Sequence, residues 1–231
     1  MLVELFTSEG CSSCPPADAW LEKIDSAQPV PGVQLIVLSE HVDYWDHDGW
    51  KDPYSSAQFT ERQSGYMQSL GLKEPYTPQV IVNGTAELKL QDQHQVGETI
   101  RTAAAESRMP VRIDNVRIDP AAPGILAGHV RVDGSAAARG GDLYVATALD
   151  HATSQVLRGE NGGRRLTHVA VVEELKRIGK VEKGKTVDQD FQVKLKPGSD
   201  SANLRVVAFV QQPNEGKVLG AALHNGSDRA K

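Results

Sequence analysis

The chain holds two cysteines in 231 residues, Cys11 and Cys14, and they stand two residues apart in "FTSEGCSSCPP". The apolar run just before them, "LVELF", reads as a strand buried on both faces. Just after them, Ala17, Trp20, Leu21 and Ile24 recur at i, i+3, i+4 and i+7, one face of an amphipathic helix. Cys11 is therefore expected where a strand ends and a helix begins. Unpaired amides and the helix dipole at such an N-terminus favour an anion, here a thiolate. Pro15 and Pro16 suit a first turn whose amides have no partner within the helix. Cys14, one turn further on, is close enough to close a small disulfide ring. Strand, CxxC and helix in that order is a redox arrangement. Glu9 opposes it, because a nearby carboxylate raises a thiol pKa. A permanent disulfide staple and a metal site remain open at the same spacing.

The rest of the first half continues the alternation. "VQLIVL" is a second buried run, and "DPYSSAQFTERQSGYMQSLG" reads as a helix with Asp52 as cap, Pro53 as first residue and a stop at Gly71. "PQVIVNGTAELKL" carries Asn-Gly between two strand-like runs, a strong hairpin signal. Val96, Ile100, Ala103 and Ala104 then mark a last helix, ending by Arg108 before Pro110.

The second half alternates instead. "VRIDNVRI", "ILAGHVRV", "LYVATAL", "HVAVVEEL", "DFQVKLK" and "RVVAFVQ" are short strand candidates separated by Gly, Pro, Asn and Asp, the pattern of an antiparallel sandwich. Charge divides at the same place. Residues 1–107 carry 6 Lys and Arg against 16 Asp and Glu, a net −10, whereas residues 108–231 carry 19 against 14, a net +5. The overall −5 argues against a nucleic-acid binder that works through basic patches. No apolar run is long enough to span a bilayer. The opening "MLVELFTSEG" lacks the basic start and cleavage site of a secretory signal.

A second group of candidates follows "VQLIVL". In open parallel sheets functional groups collect beyond the C-terminal ends of strands, so His41 and Asp43 are expected on the same edge as Cys11, with Asp46 and His47 close behind. Two thiolates and one or two imidazoles would suit zinc or copper(I). A hydrogen-bonded pair that only orders its loop accounts at least as well for His41 and Asp43, and residues such as Tyr44, Trp45 and Trp50 more often serve packing than substrate contact.

The stretches "VELFTSEGCSSCPPAD", "HVDYWDHDGWKDPYSSAQFTERQ", "YTPQVIVNG", "GENGGRRLTH" and "VVAFVQQPNEGKVLGAA" together resemble the bacterial DUF1223 family and, more broadly, the thioredoxin-like superfamily. The resemblance implies an α/β thioredoxin-like domain over residues 1–108 followed by an antiparallel, sandwich-like all-β domain over 109–231. It implies that Cys11 attacks and Cys14 resolves, and that Thr77-Pro78 forms a cis-proline loop facing the disulfide. His41 and Asp43 would assist proton transfer, and Tyr44, Trp45, Arg164 and His168 would meet substrate. Arg164 or Arg165 is expected to be drawn to the acidic edge formed by Glu9, Glu40 and Asp43.

The DUF1223 resemblance implies no established reaction; the CxxC pair at a strand-helix junction points to thiol-disulfide exchange on protein or small-molecule disulfides, with a separate redox partner and no cofactor beyond the cysteines. The setting implied is the periplasm or the cell exterior. Two rival functions stay in play: a metal-binding or delivery module built on Cys11, Cys14 and His41, and a non-catalytic interaction protein.

Overall fold

β1 (Leu2–Thr7) buries all six of its residues, which explains an apolar run with no alternation. The computed structural model describes residues 1–118, 122 and 124–225. The expected second domain runs on to Lys231, and its last six residues lie outside the described ones. After β1 come α1 (Pro15–Ala27), β2 (Ile36–His41), α2 (Ala57–Leu70), β3 (Gln79–Val82), β4 (Ala86–Leu88) and α3 (Gln93–Ala105). Seven strands follow: β5 (Val111–Ile118), β6 (Ile125–Val132), β7 (Gly141–Gln155), β8 (Arg165–Val181), β9 (Val187–Lys194), β10 (Leu204–Gln211) and β11 (Val218–Asn225).

The chain divides into two compact units. One comprises Met1–Glu106, His151–Val171 and Asn214–Gly216, and the other Ser107–Asp150, Val172–Pro213 and Lys217–Lys231. In the first, β1 runs parallel to β2 and antiparallel to β3, and β3 turns through Asn83 and Gly84, both with positive φ, into β4. Val3 and Leu5 of β1 and Val37 of β2 pack with Ala17, Leu21 and Ile24 of α1 and with Val96 and Ile100 of α3. Phe6, on the other face of β1, packs against Tyr66 and Met67 of α2. In the second unit, Val130 of β6 and Phe191 of β9 share a core with Leu143 and Val145 of β7 and with Val206 and Ala208 of β10.

This architecture corrects the expected one. The thioredoxin-like α/β domain followed by a separate sandwich is not what the chain builds. It is mostly β, with an eight-stranded mixed sheet ordered β11-β10-β7-β8-β2-β1-β3-β4, a three-stranded sheet β5-β6-β9 and, among the described residues, three α-helices. The physical reason is at β2. Instead of ending a small sheet, β2 takes β8 as a parallel neighbour, with Ser39 opposite Val171. An edge that would otherwise expose unpaired backbone groups is thereby filled.

α2 is corrected too. It starts at Ala57, capped by the Ser56 side chain, which accepts from the Gln58 amide at 3.3 Å. Asp52 does not cap it, because its carboxylate is occupied elsewhere. Gly71 ends the helix in the left-handed conformation, as its position in the sequence predicts.

Candidate functional site

Cys11 and Cys14 are joined in a disulfide where β1 gives way to α1, and both residues are 0 % exposed. Ser12 and Ser13 between them face solvent. A disulfide sulfur carries no proton, so in the 3.3 Å contact between Ser13 Oγ and Cys11 Sγ the hydroxyl donates. The helix start differs from expectation in one respect. Pro15 and Pro16 have no amide hydrogen, and the amides of Cys14, Ala17 and Asp18 donate to Cys11 O or Cys14 O. The dipole of α1 remains available to a thiolate, but these first-turn amides are already spent.

The "GENGGRRLTH" loop lies against the cysteine loop, within the first unit. Asn161, fully buried, donates from Nδ2 to the carbonyls of Glu9 at 2.9 Å and Cys11 at 3.0 Å. Glu160 Oε2 accepts from the Ser12 amide at 3.0 Å, and the Ser12 hydroxyl and amide together lower the Glu160 pKa. Arg164 donates to Asn161 Oδ1 at 2.7 Å, so its guanidinium steadies the residue that holds the loop. Gly159 has φ 75°, and a Cβ there would come within 3.1 Å of Asp48 O and 3.2 Å of Trp50 Cβ. Close backbone approach requires the glycine.

Behind the cysteine loop lies a buried ionic cluster. Glu9, 0 % exposed, accepts from Trp50 Nε1 at 2.8 Å on one oxygen and from His168 Nε2 at 3.3 Å on the other. His168 Nδ1 lies 3.7 Å from Asp18 Oδ1, an ion pair too long for a hydrogen bond. Burial by itself would lower the His168 pKa, but Asp18 and Glu9 outweigh it and hold the value at about 9. The ring is therefore an imidazolium at neutral pH.

His41 meets the His168 ring edge-on, with centroids 4.8 Å apart, and Tyr54 stands against both. His41 Nδ1 contacts Asp52 Oδ2 at 2.7 Å, and its Nε2 is buried with no hydrogen-bond partner. Burial works to raise the Asp52 pKa, but His41 and the amides of Glu9 and Tyr54 prevail and lower it. Asp52 Oδ2 also accepts from the Glu9 amide at 2.8 Å.

His41 thus pairs with Asp52, not with its sequence neighbour Asp43, which exchanges hydrogen bonds with Thr60. Tyr44 donates to Gln63 Oε1 at 3.3 Å, and burial raises its pKa. Trp45 Nε1 donates to Thr77 Oγ1 at 2.8 Å, and the Thr77-Pro78 bond is cis. Pro78 shares a cavity of about 270 Å³ with Ser13, Pro16, Ala17, Trp20 and Leu90. A second cavity, about 170 Å³, is lined by Pro15, Asp18, Arg164, Arg165 and His168. His47 is exposed, and Asp46 accepts from Ser55 and the Asp52 amide within its loop. Among the described residues no three His, Cys, Asp or Glu side chains are grouped to hold a metal ion.

Sequence reasoning missed Asp18 and Tyr54 and read Asp52 only as a helix cap. Asp18 had a signal, a carboxylate four residues after Cys14 in the otherwise apolar face of α1.

These features define a mostly β protein with a buried CxxC disulfide backed by an ionic cluster. The chain belongs to the DUF1223 family, proteins of unknown function, which it matches over residues 2–211. The X-ray structure of an Agrobacterium tumefaciens protein is similar, with 24% identity over 97% of this chain and 93% of the other and a TM-score of 0.72. That likeness shows a shared fold. The sporulation control protein Spo0M of Bacillus subtilis matches at 16% identity over 52% of this chain and 48% of its own, with a TM-score of 0.35. A search of curated proteins finds no match. No described helix is long and apolar enough to cross a membrane.

Proposed function

We propose that the chain is a thiol-disulfide oxidoreductase working through Cys11 and Cys14 on protein or small-molecule thiols and disulfides in an oxidising compartment, the periplasm or the cell exterior. One observation carries the reading: the disulfide sits at a strand-to-helix junction beside a cavity shared by Ser13, Pro16 and Pro78. A substrate chain lying in that cavity is held next to the pair. In the oxidising direction a substrate thiolate attacks Cys11 Sγ, the Cys11–Cys14 bond breaks, and Cys14 leaves as a thiolate that takes up a proton. A second substrate thiolate then attacks the mixed disulfide and releases Cys11, so the substrate loses two electrons and the pair gains them. Both directions pass through the same intermediate.

Thr77 is held by Trp45 and frames the substrate path. His168, Glu9 and Asp18 form the buried charge reserve behind the pair, with His41 and Asp52 next to it. Asp43 steadies the loop after β2, and Arg164 acts through Asn161.

A permanent staple is the second reading, and its own observation is that neither cysteine is exposed. Redox titration against glutathione separates the two. An exchangeable pair equilibrates at a potential above about −300 mV, where structural disulfides end. A pair that stays oxidised throughout is a staple. In the exchanging protein, Cys14→Ser accumulates a mixed disulfide on Cys11.

A further inference from the structure

The second unit holds a cavity that the cysteine chemistry does not use. It measures about 470 Å³, well inside the range of small-molecule sites. Three segments wall it, each pinned by its backbone. Residues 107–110 are fixed where the Met109 amide donates to Leu219 O at 2.7 Å. Residues 133–139 turn on Asp133, whose Oδ1 accepts both the amide and the hydroxyl of Ser135, and on the Ala137 amide bonded to Gly134 O. The turn between β10 and β11 is closed by the Gln212 amide donating to Lys217 O at 3.0 Å. Walls tied in this way form before any ligand arrives.

The chemistry of the lining is mixed in a specific way. Met109, Pro110, Ala136, Ala137, Ala138 and Leu219 give an apolar floor, while Arg108, Arg139 and Lys217 bring three cations against the single carboxylate of Asp133. A neighbouring cavity of about 400 Å³ shares Pro110 and Asp133 and adds Arg112 and Arg131. This excess is the local form of the positive charge carried by the second half of the sequence. Apolar surface ringed by guanidinium and ammonium groups fits a ligand with an apolar body and an anionic head. The body gains by leaving water and the head by charge-assisted hydrogen bonds.

We propose that this cavity is a binding site for a small amphiphilic anion, a carboxylate or sulfonate on a short hydrocarbon body. The site is separate from the cysteine pair and stands whether or not the pair is redox-active.

Calorimetric titration of the full chain with octanoate, beside chain-matched octanol, tests it. Octanoate should bind one to one, more tightly than octanol, and the affinity should fall as potassium chloride is raised. Arg139→Gln with Lys217→Gln should weaken octanoate about tenfold while leaving octanol unchanged, and Leu219→Asp should weaken both. The salt series on the unaltered protein decides the charge argument even if a variant fails to fold. Absence of octanoate binding, equal binding of octanol, indifference to salt, or undiminished binding in a folded double variant would each overturn the site.

Discussion

β1 and β2 carry a buried ionic group on each of their two faces, and the groups differ in their cation. On the face packed by α2, Arg62 donates to Glu4 from Nε at 2.7 Å and from Nη2, Tyr66 donates to the other Glu4 oxygen at 2.6 Å, and Glu40 lies 3.5 Å from Arg62 Nε. On the opposite face His41, in register with Thr7, meets His168, with Asp52, Glu9 and Asp18 as their carboxylates. A guanidinium is charged at any pH the protein survives. Burial works to lower the Arg62 pKa, but Glu4, Tyr66 and Glu40 outweigh it and raise the value further. An imidazolium is not. The arginine group is a fixed tie between β1, β2 and α2. The histidine group is a titratable one, and it alone connects to the cysteine loop, through Glu9.

The largest effect is expected where the fixed tie is cut. Arg62→Met leaves Glu4 and Glu40 buried with no cation. Glu40 is already pushed well up by burial, with both its oxygens lacking a hydrogen-bond partner. Removing one side of a buried pair costs about 3–5 kcal/mol, read as a drop in urea-unfolding free energy. A loss below about 1 kcal/mol would erase the contrast between the faces.

The titratable group gives the next effect, with a definite sign. His168 has a folded pKa of about 9 against about 6.5 unfolded, so its contribution is fully present below pH 6.5 and disappears as pH rises through 9. A shift of that size corresponds to about 3 kcal/mol at most, discounted for partial solvent access. Unfolding free energy measured from pH 6 to pH 9.5 should fall, and His168→Gln should flatten that slope. If Arg62→Met flattens it instead, the two groups have been assigned the wrong roles.

Much of the frame around both groups is legible in the sequence, for physical reasons that also explain what is not. The cysteine junction, the buried face of α1 and the Asn83-Gly84 hairpin follow from local spacing and local backbone preference. The partners of His41 do not. Asp43 is nearer in the chain, but it leaves β2 toward Thr60 of α2, and Asp52 arrives from a loop whose path no periodicity encodes. The parallel seam of β8 on β2 joins residues 132 positions apart, Ser39 and Val171, and each looks like an ordinary strand residue. β11, with Gly220, Ala221 and Ala222 at its centre and Val218 as its one β-branched residue, carries little of the pattern that marks a strand and is set by its pairing with β10.

A smaller effect should show which group steadies the cysteine loop. Asn161→Ala removes two donors from the carbonyls of Glu9 and Cys11, a loss of about 1–3 kcal/mol if those carbonyls stay dry. Reduction of the Cys11–Cys14 disulfide by dithiothreitol should then be faster. Tyr66→Phe, which removes the hydroxyl that links Arg62 and Glu4 in the arginine group, should leave that rate alone. Equal acceleration by both would mean that the loop responds to global stability and not to the histidine face.

The smallest effect concerns Glu160, the exposed end of the same contact. Its carboxylate takes the Ser12 amide, and the Ser12 hydroxyl together with that amide holds its pKa below the usual carboxylate range. A lowered acid pKa means that the contact is present above the unfolded value and is lost as pH falls through the folded one. Exposure to solvent makes the contact weak, so Glu160→Ala should leave the melting temperature unchanged within error. The Ser12 amide, freed to water, should nevertheless exchange its hydrogen faster, while the amides of Cys14 and Asp18, bonded to carbonyls inside the loop and α1, keep their rates. Exchange that quickens at all three positions would show that the carboxylate holds the whole loop. The histidine face would then owe its link with the cysteines to Glu160 as much as to Glu9.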